Sequence, residues 1–92
     1  MAQNDLGAAF EKAQVEVKTL KKRPSNEQLG LLYAYFKQAT VGDIVGKRPG
    51  LLDMVGRYKY DAWKKCEHMT ADDAMSHYCD LVNHLLADPH LN

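Results

Sequence analysis

Two short segments set a lysine beside aromatic rings at helical spacing. In LLYAYFKQATVGD (Leu31 to Asp43), Tyr33, Phe36 and Lys37 fall at i, i+3 and i+4, so a helix carries all three on one face. In KYDAW (Lys59 to Trp63) the pattern recurs with Lys59, Tyr60 and Trp63. Two such faces meeting in space could hold an anion on the ammonium groups and a flat ring on the aromatics. A phosphorylated nucleotide has both parts. A lysine ammonium is a mobile point charge that suits a phosphate monoester without bidentate geometry. Stacking of a base on an aromatic contributes roughly 1–3 kcal/mol in nucleic-acid systems. Without neighbouring rings, each lysine would read as an ordinary solvated charge, and each aromatic as core.

The elements that position these residues are helical. Phe10, Ala13, Val17 and Leu20 form one apolar stripe of a first helix over about Leu6 to Lys21, stopped by Pro24. Ser25 with Gln28 three residues on has the arrangement of a capping box and opens a second helix. That helix is expected to turn Leu29, Leu32, Tyr33 and Phe36 inward and to fade near Val41–Gly42. Gly42 to Leu52 reads as a long ordered loop, in which Arg48 is expected to tie to an acid such as Asp43. A third helix spans about Met54 to Cys66, with Trp63 facing the second. Thr70 with Asp73 caps a fourth helix, whose inner face is Ala74, Tyr78, Leu81, Val82 and Leu85, and Pro89 ends it. No strand pattern or internal repeat is present. The fold class is therefore all-α, in a single domain over residues 1–92.

Composition narrows the partners. Twelve basic and twelve acidic residues give a formal net charge of zero, which argues against a general nucleic-acid binder. The charge is uneven: all twelve bases lie in residues 1–65 with seven acids, and five acids follow from Cys66 onward. An anion site is thus expected before Cys66. Cys66 and Cys79 form neither a CxxC pattern nor a disulfide framework and read as reduced thiols. His68, His77, His84 and His90 show no HExxH or paired Cys/His spacing, so no metal is expected. No catalytic residue set is evident. There is no apolar run near twenty residues for a membrane span. MAQNDLGAAF lacks the basic and apolar regions of a signal peptide, so a cytoplasmic location is the expectation.

From Phe10 to about Leu85 the chain resembles the acyl-CoA-binding protein family. FKQATVGD (Phe36 to Asp43), RPG (Arg48 to Gly50), LLD (Leu51 to Asp53) and KYDAW carry the resemblance. It implies a four-helix bundle in the up-down-down-up arrangement and a non-enzymatic, monomeric cytosolic carrier of long-chain fatty acyl-CoA, with no cofactor. It further implies that Tyr33, Lys37, Lys59 and Tyr78 hold the CoA head group, that Lys18 assists with phosphate charge, and that Phe36 stacks. Phe36 stands where tyrosine is usual in the family, Tyr60 where tryptophan is common, Gly30 where a bulky apolar residue is usual, and Gln14 where a small one is. The acyl chain is expected in a groove between helices lined in part by Leu29, Gly30 and Leu32. Gly30 shares the face of Tyr33 and Lys37, at i, i+3 and i+7. A different reading of the same bundle is an interaction module or signalling-peptide precursor. A binder of free nucleotide or free fatty acid is a third.

Overall fold

In the computed structural model, residues 2–92 are described, with side chains from Asp5 onward. Met1, where the expected domain and the leader reading begin, lies outside the described residues. Helix α1 runs Ala2–Glu16 and tightens into a single 3-10 turn at Val17–Thr19, earlier than the expected end near Lys21. Helices α2 (Asn26–Thr40), α3 (Met54–Lys64) and α4 (Ala71–Ala87) follow, and no strand is present among the described residues.

Helix starts are set by side chains that satisfy otherwise unpaired backbone N–H groups. The Ser25 hydroxyl accepts from the Gln28 N–H at 3.1 Å, and the Gln28 carbonyl oxygen accepts from the Ser25 N–H at 3.0 Å. This is the reciprocal box that the sequence pattern predicts. Asp53 caps α3 by accepting from the Gly56 N–H at 2.9 Å, and Thr70 caps α4 by accepting from the Asp73 N–H at 3.1 Å.

Helix directions follow from which residues meet. Phe10 packs on Tyr78, and the Lys21 and Lys22 N–H groups donate to the Leu91 carbonyl, so α1 and α4 run parallel. Tyr35 meets His77 while Gln38 reaches the Met69 carbonyl, so α2 and α4 are antiparallel. Gly30 abuts Tyr58, Lys59 lies over Tyr33 and Trp63 lies beneath Lys37, so α2 and α3 are parallel. The bundle is up-down-down-up.

The core lies between α1, α2 and α4, where Phe10, Ala13, Leu32, Tyr78, Val82 and Leu85 are buried together. Val17, Leu20, Leu29, Phe36 and Leu81 pack around it as partly buried residues. Tyr33, expected inward with Leu32 and Phe36, turns instead toward α3, with its ring edge-on to Trp63 at 6.3 Å. Among the helices of the described residues, α3 packs on α2 alone, and it has no fully buried residue. The molecule is accordingly thin, 42 × 32 × 15 Å.

The loop between α2 and α3 is pinned from both sides. Ile44 is buried, and Gly42 and Gly46 take φ of 96° and 97°, a conformation that side chains disfavour. Arg48 is not bound to Asp43. It forms a two-pronged pair with Asp61 on α3, at 2.8 and 2.7 Å, because the loop folds back along α3 and Asp43 is already committed elsewhere. Arg57 Nε donates to the Pro49 carbonyl at 3.0 Å, and the Tyr60 hydroxyl donates to the Gly46 carbonyl at 3.1 Å.

Candidate ligand-binding site

The parallel run of α2 beside α3 brings the two lysine–aromatic segments together. Lys37 Nζ stands 5.1 Å from the centre of the Trp63 ring, and Lys59 Nζ stands 5.3 Å from the centre of the Tyr33 ring. Each ammonium comes from one helix and each ring from the other, with the two rings edge to face between them. A cation over a ring face is held by the ring quadrupole without surrendering its charge. Both ammonium groups therefore stay available to an anion while their positions are restricted.

Phe36 and Tyr78 form a neighbouring cluster on the other flank of α2. Phe36 stacks on Phe10 at 6.0 Å and tilts against Tyr78 at 6.5 Å, while Phe10 meets Tyr78 edge-on at 5.1 Å. Tyr78 is only 6% exposed. Burial pushes its phenol pKa up, and neighbouring Cys79 adds to the shift, so the hydroxyl stays protonated well above neutral pH. Lys18 is exposed on the 3-10 turn after α1 and takes part in neither cation–ring pair.

A cavity of about 430 Å³ opens beside Tyr33 and Lys59, walled by Leu29 and Gly30 from α2 and by Met54, Val55 and Tyr58 from α3. Of the three residues expected along a groove, Leu29 and Gly30 are on this wall. Leu32 is not: it is 8% exposed and belongs to the core with Phe10 and Val82. On a helix Leu32 lies about 200° around the axis from Gly30, so the two face opposite sides of α2. Arg23, Met54, Val55 and Tyr58 also line the cavity and carry no local sequence signal, since their roles depend on α3 lying against α2.

A second residue type without a local signal is Gln38, 2% exposed. Its amide nitrogen donates to Asp43 Oδ1 at 2.8 Å and to the Met69 carbonyl at 2.9 Å, and its oxygen accepts from Trp63 Nε1 at 3.2 Å. Trp63 Nε1 also donates to the Gly42 carbonyl at 2.9 Å. Asp43 Oδ1 accepts the His68 N–H at 2.7 Å, where His68 has φ of 74°. The Gln38 hydrogen bond and then the His68 one hold the Asp43 carboxyl below the usual carboxylate range. This network fixes the indole on which Lys37 rests. Elsewhere, His77 stacks on Tyr35 at 5.2 Å. No group of three or more His, Cys, Asp or Glu side chains comes together among the described residues. Cys66 is buried and Cys79 half-buried, and both are free thiols.

A helical bundle with paired cations on rings beside an apolar cavity defines a small ligand-binding protein. The chain belongs to the acyl CoA binding protein family, whose model matches residues 7–82. It is similar to acyl-CoA-binding protein homolog 1 of Caenorhabditis elegans, 46% identical over 79 residues that cover 86% of this chain and 92% of the relative. The acyl-CoA-binding protein of Brassica napus is 48% identical over 77 residues, 84% of each chain. Among solved structures, acyl-CoA-binding protein 2 of Oryza sativa superposes with a TM-score of 0.83 at 43% identity, covering 88% of this chain and 90% of that one.

Proposed function

We propose that this chain binds long-chain fatty acyl-CoA esters and acts as a non-enzymatic, monomeric carrier of them in the cytoplasm. The observation that carries the reading is the pair of ring-seated ammonium groups, of which Lys59 lines the apolar cavity and Lys37 stands on the adjoining Trp63 ring. Lys37 and Lys59 take the phosphates. Tyr33 offers its hydroxyl and ring to the rest of the head group, and Tyr78, whose ring is packed in the core, offers its hydroxyl. Phe36 stacks, and Lys18 adds positive charge from the flank. The acyl chain lies along the cavity past Leu29 and Gly30. Burying it gains about 0.8 kcal/mol per methylene, so the tail supplies most of the affinity increment and the head group supplies selectivity. Membership of the family and the names of the relatives support the same ligand. Among the described residues, no helix is long and apolar enough to cross a membrane, and the balance of charge is unlike that of a nucleic-acid binder.

The test is calorimetric titration with palmitoyl-CoA, CoA and palmitate. Palmitoyl-CoA binding far more tightly than either fragment is the expected result. Equal binding of CoA would leave a nucleotide binder, and equal binding of palmitate a fatty-acid binder. No binding of any of the three would favour an interaction or signalling role for the bundle.

A further inference from the structure

Gly30 and Tyr58 border two cavities. One is the 430 Å³ cavity beside Tyr33 and Lys59. The other, about 180 Å³, lies across the α2–α3 seam against Leu31, Tyr35, Ala62 and Cys66, with charged residues Glu27, Asp61 and Lys65 also on its lining. The two linings share Gly30 and Tyr58 and no other residue. A Cβ placed on Gly30 would sit 2.6 Å from Tyr58 Cε2 and 3.1 Å from its Cζ, so the phenol occupies the space that a side chain at position 30 would need. The bulk missing from α2 is supplied from α3.

That ring is not locked. Tyr58 is 45% exposed, and its hydroxyl makes no hydrogen bond among the described residues. It is held by contact with a glycine, which offers it no interlocking side chain. On the lining of the smaller cavity, Cys66 is buried, and its thiol donates to the Ala62 carbonyl at 3.9 Å.

We infer that the Tyr58 ring seated on Gly30 is the wall that ends the acyl groove, and that it sets the chain length at which affinity stops rising. Removing the ring joins the two cavities, and a longer chain then turns through the seam toward Cys66. The inference rests on the acyl-CoA reading above and names the residue that limits the acyl chain. Each further methylene buried in the opened space tightens binding about fourfold.

The experiment is a calorimetric series of saturated acyl-CoA esters from octanoyl to arachidoyl on the wild type, Tyr58→Ala and Tyr58→Phe, with Tyr58→Val as a second small-side-chain variant should the alanine protein melt below the assay temperature. Wild type and Tyr58→Phe are expected to level off at the same chain length, and Tyr58→Ala at a longer one. A plateau at the same or a shorter length in the small-side-chain variants overturns the assignment. A wild type whose affinity does not rise with chain length at all instead overturns the carrier reading, so the two failures are distinct. A second readout is alkylation of Cys66, separated from Cys79 by peptide mapping. Arachidoyl-CoA is expected to slow Cys66 modification several-fold more in Tyr58→Ala than in the wild type, and equal protection in both counts against a chain passing through the seam.

Discussion

Trp63 shares its one indole N–H between Gln38 Oε1 at 3.2 Å and the Gly42 carbonyl at 2.9 Å. The bond to Gln38 joins α3 to the second half of α2, and the bond to Gly42 joins it to the loop that follows. Because Lys37 rests on the same indole, the position of a ligand-facing charge depends on a buried amide one residue further along the chain.

Gln38→Leu is therefore expected to destabilise the protein by about 2–3 kcal/mol, since it strips a buried amide from three partners and leaves the Met69 carbonyl unpaired. Urea melts measure this directly. Palmitoyl-CoA affinity at low denaturant is expected to fall as well, through loss of the fixed indole. A melt within error of the wild type would mean that the network is dispensable.

Lys37→Ala and Lys59→Ala are each expected to weaken palmitoyl-CoA binding by about 1–3 kcal/mol, the worth of a charge-assisted contact. Stability should change by less than about 1 kcal/mol, since cation–ring contacts near the surface are weak. We assign the 3′-phosphate of the CoA to Lys59, so with a ligand lacking that group Lys59→Ala should cost little more. Fully additive losses would assign Lys59 to another part of the head group.

Gly30→Ala is expected to change sign with its neighbour. In the wild type, the new methyl meets the Tyr58 ring and must push it outward, offsetting any helical gain. In Tyr58→Ala the space is open, and the same substitution should stabilise the helix by about 0.5–1 kcal/mol. A double-mutant cycle of thermal melts reads the coupling, and equal effects in both backgrounds would show that the ring does not press on position 30.

Acid should expose two carboxylates. Asp61 is held below the usual range first by its hydrogen bond from Arg48, as Asp43 is by Gln38. A carboxyl depressed in the folded state contributes stability that is fully present above the unfolded value of about 3.9 and is lost as pH falls through the lower folded value. Urea midpoints should therefore hold level from neutral pH to about 5 and drop below about 4. Asp43→Asn keeps an acceptor for Gln38 and His68 but has no proton to gain, so its acid limb should be shallower. An unchanged limb would place the acid sensitivity elsewhere.

Much of this is legible along the chain, for physical reasons. Helix faces and caps are local: Ser25 and Gln28 interact across three residues, and the stripe through Phe10 and Ala13 needs only one helix. Lys37, Lys59 and Tyr33 stand out because cations and rings share a helical face. What stays hidden depends on how helices meet. Arg48 has several acids within reach on paper, and only the fold of the loop along α3 selects Asp61. Leu32 reads as groove or core until the direction of α4 is known. Gln38 is an ordinary polar residue in a helix until Trp63, Asp43 and Met69 converge on it. Gly30 reads as a vacancy beside the tail, and only the placement of α3 shows that Tyr58 fills it.

Among the helices of the described residues, α3 touches α2 alone, and none of its residues is fully buried. In hydrogen-exchange terms it is the part of the bundle whose amides should open without global unfolding, ahead of α1, α2 and α4. A ligand spanning Lys37 and Lys59 would clamp it to its neighbour, so occupancy should show as slowed exchange along Met54–Lys64 more than in the core. The helix with no fully buried residue would then be the one that reports most clearly whether cargo is aboard.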